Sequence, residues 1–195
     1  MHLEQTLHQL RSMRLATMAA CLEQRLKNGD HRDLSHEEFI SVLVEDEFSA
    51  RNNRRLARMI GRANFKPEQA CLENIRYDSR RGFEKKDIMQ FSSRTWIDNA
   101  QNVIITGPTG TGKTYIAEAI GLSVCKTGLP AQKIRYKRLF EEIRSARGTG
   151  MYLNYIRKLQ KVKVLIIDDF AMQPISQDEL SDLLDIIEER NQLGP

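Results

Sequence analysis

Eight consecutive residues, 107 to 114, have the types and spacing of a phosphate-binding loop. In order, they are Gly107, Pro108, Thr109, Gly110, Thr111, Gly112, Lys113 and Thr114. They fit the pattern G-x-x-x-x-G-K-[ST] at every fixed position. Glycines let successive backbone N–H groups close around phosphate oxygens, the lysine adds a positive charge, and the final hydroxyl is a ligand for Mg²⁺. The pattern predicts that the chain binds a nucleoside triphosphate with Mg²⁺.

The segments on either side of this loop fit that interpretation. Residues 102–106 are a short run rich in β-branched side chains, which predicts a buried strand. Residues 115–125 have the composition of a helix. A loop between a strand and a helix presents the bound phosphates to the positive end of the helix dipole.

Two carboxylates follow a second apolar run. Residues 162–167 predict a strand of a parallel sheet covered on both faces, and Asp168 and Asp169 come directly after it. This is the arrangement of a Walker B motif. Asp168 is expected to bind the Mg²⁺ that Thr114 also binds, and Asp169 to orient and deprotonate an attacking water. The pair favours hydrolysis over phosphate transfer, although a small-molecule kinase with a phosphate-binding loop remains an alternative.

Five arginines recur at helical spacing in the first third of the chain. They are Arg51, Arg54, Arg55, Arg58 and Arg62. On a helix they fall within a stripe of about 100°. The whole chain carries a net charge of +4 and residues 168–195 carry −7, so residues 1–167 carry +11. A solvated face, or pairing with acids of another element, would also explain such a stripe. Together with the positive charge of residues 1–167, the arginine stripe indicates contacts to DNA phosphates.

Composition places the chain among cytoplasmic proteins. Its three cysteines, Cys21, Cys71 and Cys125, are widely spaced and form no C-x-x-C pair, which is typical of reduced thiols. No stretch reaches the eighteen or more apolar residues of a membrane span, and the first residues lack the apolar core of a signal peptide.

The pattern along the chain predicts an α/β fold behind a helical module. Helical spacing runs over residues 3–27, and capping boxes at Ser35 and Ser176 open two further helices. From residue 102 strands and helices alternate, with a strand over 132–136 and helices over 137–147 and 151–160, as in a parallel sheet flanked by helices. We divide the chain into a helical DNA- or partner-binding module (1–65), a connecting segment (66–98) and an ATPase core (99–195).

Several segments resemble the IstB family of transposition helper ATPases, which are AAA+ proteins related to bacterial helicase loaders. The resemblance lies in residues 4–15, 35–39, 51–58, 63–65 and 185–190, together with the two nucleotide-site motifs, and it extends over essentially the whole chain. It implies a protein that binds ATP and DNA, forms ATP-dependent homo-oligomers and directs a partner transposase to target DNA.

The chain ends at residues 193–195, where a further strand of the AAA+ pattern is expected to begin, and we therefore interpret its ATPase core as truncated. The resemblance implies a further strand with a polar sensor residue between the loop strand and the Walker B strand, followed by an arginine finger and a lid domain. None of these has a counterpart here, so we expect an incomplete sheet and impaired ATP hydrolysis. A replication helicase loader, or a non-catalytic ATP-gated or dominant-negative DNA-binding protein, remains an alternative.

Overall fold

A computed structural model describes residues 2–66, 70–77, 82–170, 172 and 174–192. The chain splits after Ala57 into two compact units. The boundaries expected from sequence, after residues 65 and 98, stay predictions.

The N-terminal unit consists of α-helices. Helix α1 spans His2–Ser12, α2 spans Ala16–Asn28, and α3 spans His36–Arg62 and continues beyond the unit. Its core contains Leu7, Ala19 and Leu43, one from each helix. The capping box at the start of α3 is confirmed: the Glu38 N–H donates to Ser35 Oγ at 3.2 Å, and the Ser35 N–H donates to Glu38 Oε2 at 2.8 Å.

The prediction of one helix over residues 3–27 was wrong, because the chain turns between α1 and α2. Arg14 adopts a left-handed conformation with φ of 62°, which a helix cannot contain. The sequence carries a weak sign of this turn, since the step from Leu10 to Leu15 is five residues and breaks the spacing of three and four.

Glu47 is a buried carboxylate that joins α2, α3 and the turn before α2. Its side chain is 5% exposed and accepts hydrogen bonds from Arg51 Nε at 2.7 Å and from the Met18 N–H at 3.0 Å. Arg51 in turn donates to the Arg14 carbonyl at 2.7 Å. The hydrogen bond from Arg51 is the chief cause that lowers the pKa of Glu47 from its ordinary value.

The C-terminal unit begins with the last turn of α3 and contains short helical pieces before its sheet. The structure gives two 3₁₀ turns, Leu72–Asn74 and Gln90–Ser92, and helices α4 (Lys85–Met89) and α5 (Thr95–Asp98). Helix α6 follows the glycine-rich loop and spans Lys113–Lys126. The remaining elements, in chain order, are β1 (Ala131–Arg135), α7 (Tyr136–Gly148), α8 (Tyr152–Gln160), β2 (Val164–Asp168) and α9 (Gln177–Gln192).

Strands β1 and β2 form a parallel pair, which confirms the α/β class. Lys133 lies opposite Ile166, and Arg135 lies opposite Asp168. Helices α7 and α8 make the crossover that a parallel connection requires. The second capping box is also confirmed, with the Glu179 N–H donating to Ser176 Oγ at 3.3 Å at the start of α9.

Helices cover both faces of this strand pair. Ile166 faces α6, where its side chain approaches Gly121, whereas Leu165 and Ile167 pack against a core on the other face. Neighbouring residues of a strand point to opposite faces, so α6 and this core lie on opposite sides. The core comes from β1, α7, α8 and α9, and its buried residues are Ile134, Tyr136, Leu139, Phe140, Ile143, Ile156, Leu159, Leu183 and Ile186.

The prediction of a buried strand over residues 102–106 was wrong. Among the described residues the sheet consists of β1 and β2, and residues 102–106 pair with neither. Ile104 is 87% exposed and Val103 is 38% exposed. A strand exists through hydrogen bonds to a neighbour, so an apolar run without a ladder partner stays extended and exposed. The expectation of an incomplete sheet is confirmed.

Arg190 of α9 holds the chain that enters β2. Its guanidinium donates to the carbonyls of Leu159, Val162 and Lys163 at 2.8, 2.7 and 3.0 Å. These carbonyls lie at the end of α8 and in the turn that follows it, where helix geometry leaves acceptors without partners. Burial lowers the pKa of this guanidinium.

Gly121 is required because α6 lies unusually close to β2 and Phe65. A Cβ added there would collide with the Phe65 ring and would lie 2.8 Å from Ile166 Cδ1. We expect Gly121→Ala to lower the free energy of unfolding by about 1–3 kcal/mol in urea denaturation. Gly61→Ala in α3 is the control, since its Cβ meets no atom within 4 Å. It should be neutral or stabilising by up to about 1 kcal/mol, and equal losses at both sites would contradict this account.

Arg51→Ala should destabilise the N-terminal unit, because it removes a donor to a buried carboxylate. At neutral pH we expect a loss of about 1–3 kcal/mol in the free energy of unfolding. Because the folded pKa of Glu47 is lowered, its stabilising contribution is present above the ordinary glutamate pKa and is lost as pH falls through the folded value.

The difference between wild type and Arg51→Ala should therefore shrink when denaturation is repeated well below the ordinary pKa of glutamate. Arg11→Ala is the control, because Arg11 pairs with the more exposed Glu23 at 3.2 Å, and it should leave the melting temperature close to that of wild type. A pH-independent loss in Arg51→Ala would count against the role of Glu47.

Candidate functional site

The predicted phosphate-binding loop ends within the first turn of α6, whose first two residues are Lys113 and Thr114. Gly110 and Gly112 have φ of 83° and 88°, in the left-handed region where a side chain is disfavoured. Gly112 is the N-cap of α6, and the first backbone hydrogen bond of the helix runs from the Ile116 N–H to the Gly112 carbonyl at 3.0 Å. The N–H groups of residues 113–115 therefore lack a partner within the helix, which is the arrangement that attracts phosphate oxygens.

Lys113 folds back over this loop. Its Nζ donates to the carbonyls of Gly107 and Pro108, both at 2.8 Å, while Thr111 Oγ1 donates to the same Pro108 carbonyl at 2.8 Å. These three hydrogen bonds connect the start of the loop, at Gly107 and Pro108, to its end, at Thr111 and Lys113. Both acceptors of Lys113 are neutral carbonyls, so a phosphate group would offer its ammonium a stronger partner.

Thr114 and Asp168 join the two halves of the predicted site. Thr114 Oγ1 donates to Asp168 Oδ1 at 3.0 Å across 54 residues of sequence. The Asp169 N–H donates to the same oxygen at 3.1 Å, and the Asp168 side chain is 16% exposed. The structure thus brings together the hydroxyl and the carboxylate that sequence assigned to Mg²⁺.

These two oxygens fit a magnesium ion that a nucleotide brings with it. Among the described residues there is no group of three His, Cys, Asp or Glu side chains that could hold a metal by itself. Mg²⁺ is usually bound by one or two protein oxygens together with phosphates and waters. Thr114 and Asp168 would be its protein ligands, and the ion would neutralise charge on the β- and γ-phosphates.

Asp169 has a different environment from Asp168. Its side chain is 60% exposed, its φ is 55°, and its carboxylate lies 3.8 Å from Arg135 Nε. A residue with positive φ directs its side chain away from the course of the strand before it, which separates the two neighbouring carboxylates. The role of Asp169 in orienting water stays a prediction.

Sequence reasoning missed two charged residues beside this site. Lys133 Nζ forms an ion pair with Glu118 of α6 and lies 3.9 Å from Asp168 Oδ2. Glu118 and Lys133 are 5% and 12% exposed. The available signal was their position, since a lysine in the middle of a parallel strand and a glutamate within an apolar helix each need a partner.

The five arginines assigned to DNA all lie on the exposed surface of α3. Their local roles differ. Arg51 and Arg54 are near Glu47, at 2.7 and 3.4 Å, and Arg51 has the structural role described above. Arg51 and Arg54 thus pair with an acid of their own helix, and DNA contact by all five arginines stays a prediction. No helix in the described part of the chain is long and apolar enough to cross a membrane.

Comparison with known proteins gives the same assignment as the motifs. The family model for IstB-like ATP binding protein matches residues 8–194. A protein of insertion sequence IS1162 from Pseudomonas fluorescens, named for ATP binding, is 36% identical over 96% of this chain and 81% of its own length. The insertion-sequence protein y4pL of Sinorhizobium fredii is also 36% identical, over 95% of this chain and 75% of its own.

A more distant relative agrees with these two. Rv3427c of Mycobacterium tuberculosis, named as an ATP-binding protein in an insertion sequence, is 30% identical over 93% of this chain and 72% of its own length. The resemblance drawn from the sequence is thereby confirmed. The chain belongs to the IstB-like family of insertion-sequence ATP-binding proteins.

Proposed function

We propose that this protein binds Mg²⁺–ATP at the loop before α6 and uses it to support transposition of an insertion sequence. The observation that carries the proposal is the hydrogen bond between Thr114 and Asp168, at 3.0 Å, beside the glycine loop. It supports a single site built from both motifs, as Mg²⁺-dependent phosphate binding requires.

The residues of the site divide the chemistry between them. The backbone of residues 107–112 and the ammonium of Lys113 hold the phosphates, and Thr114 and Asp168 hold Mg²⁺. Asp169 orients the attacking water. An arginine finger, which stabilises charge on the transferred phosphoryl group, is not among these residues, so we propose that ATP hydrolysis is impaired.

Lys113→Ala tests the nucleotide site directly. The change removes a charged contact to phosphate, so we expect affinity for a fluorescent ATP analogue to fall by about ten- to a hundred-fold in a direct titration. Lys161→Ala, which removes the same charge from the exposed end of α8, should bind like wild type. Equal affinity in wild type and Lys113→Ala would overturn the assignment.

We also propose that α3 contacts the backbone of duplex DNA. Support comes from its exposed arginines and from the +11 charge on residues 1–167. Arginine suits phosphate contacts because its guanidinium can donate two parallel hydrogen bonds. Contacts to phosphate alone carry no sequence information, so this surface would bind DNA of any sequence.

The double variant Arg55→Ala/Arg58→Ala tests this surface and leaves Arg51 with Glu47. Binding to unrelated duplexes should weaken about equally, and the slope of log affinity against log salt should flatten by about two units. The matched control is Arg157→Ala/Lys158→Ala, which removes two exposed charges from α8. If both variants show the wild-type slope in fluorescence anisotropy, the stripe does not contact DNA.

The partner follows from the genetic setting of the family. The relatives are named as proteins of insertion sequences, so we propose the transposase of the same element as the partner that this protein directs to DNA. We also propose ATP-dependent homo-oligomers, which the family resemblance implies.

A further inference from the structure

Three charged side chains lie together between α6, β1 and β2. The carboxylates of Glu118 and Asp168 flank the ammonium of Lys133, and all three side chains are at most 16% exposed. One ammonium therefore lies near two carboxylates. Buried charges are costly unless they are paired, so the partner that Lys133 takes decides which carboxylate is left without the ammonium.

In this structure Lys133 pairs with Glu118. Its Nζ makes a short hydrogen bond to Glu118 Oε1 and stays 3.9 Å from Asp168 Oδ2, beyond hydrogen-bonding distance. The donors to Asp168 are instead Thr114 Oγ1 and the Asp169 N–H, and both reach the same oxygen, Oδ1. The second oxygen of Asp168 is therefore within reach of Lys133 while Glu118 holds the ammonium back.

We propose that Glu118 is a positioning residue that keeps the Lys133 ammonium off Asp168 and so leaves this carboxylate available for Mg²⁺. The inference rests on the proposed function, because it assigns regulation to the same metal site. Without the negative charge of Glu118, Asp168 is the carboxylate within 4 Å of Lys133 among the described residues. The Lys133 ammonium then moves to Asp168, where it competes with Mg²⁺ for the carboxylate.

The same pair is attached to the residues that follow α3. Glu118 Oε2 accepts the Lys66 N–H at 3.2 Å, and the Lys133 N–H donates to the Ala63 carbonyl at 2.7 Å. Asn64 Nδ2 also lies 3.4 Å from the Lys133 carbonyl. Residues 63–66 therefore help to hold both members of the pair in place.

Glu118→Gln is the first test, because glutamine keeps the acceptor for Lys66 and removes the charge. We measure the affinity of a fluorescent ATP analogue in Mg²⁺ and in EDTA, and thermal unfolding in EDTA reports folding. We expect the gain in affinity from Mg²⁺ to fall by about ten-fold or more, the usual size for a residue supporting a metal ligand, with affinity in EDTA unchanged. Glu142→Gln, an ion-paired glutamate on α7, should keep the wild-type gain.

The double variant Glu118→Gln/Lys133→Met separates this role from a merely structural one. It removes the competing ammonium as well, so the gain from Mg²⁺ should return to within about two-fold of wild type. A double variant no better than Glu118→Gln would overturn the inference, as would a full gain in Glu118→Gln itself.

Lys133→Met covers the case in which Glu118→Gln does not fold. With no ammonium beside Asp168, this variant should respond to Mg²⁺ at least as strongly as wild type, and a reduced response would overturn the inference. Failure of the proposed function looks different, because wild type would then bind no nucleotide in either buffer.

Discussion

The hydrogen bond from Thr114 to Asp168 is the contact on which the nucleotide site depends. It links the first turn of α6 to the last residue of β2, which are far apart in sequence. In the middle of the same helix, Gly121 lets α6 approach Ile166 of β2 closely, so the helix that carries Thr114 packs directly against the strand that carries Asp168. The packing of α6 against β2 and the position of the Thr114 hydroxyl beside Asp168 are therefore linked.

Features that depend on residues close together in the sequence could be predicted from it. The capping boxes at Ser35 and Ser176 involve residues three apart, and both form as predicted. The phosphate-binding loop could also be predicted, because the backbone conformation of the loop itself requires its glycines. Placing Asp168 beside Thr114 needed one further premise, that the ends of parallel strands meet the start of the loop helix.

Features that depend on residues far apart in the sequence could not be predicted from local patterns. Residues 102–106 have the composition of a strand, but strand formation needs a ladder partner, and the sequence of the run does not supply it. Local patterns could indicate that Glu118 and Lys133 each need a partner, but not that they pair with each other, because the β1 register decides which residue faces α6. Arg51 was assigned to a DNA-facing stripe, whereas its contact with Glu47 also makes it structural.

Arg190 has a consequence for the way the C-terminal unit opens. Its guanidinium donates hydrogen bonds to three carbonyls at the end of α8 and in the turn before β2. Detachment of α9 would therefore remove this donor from all three. Local opening in proteins proceeds in cooperative units whose members lose their hydrogen bonds together. Helix α9 and the chain that enters β2 would lose these hydrogen bonds together, and the strand that carries Asp168 would then become accessible to hydrogen exchange or proteolysis.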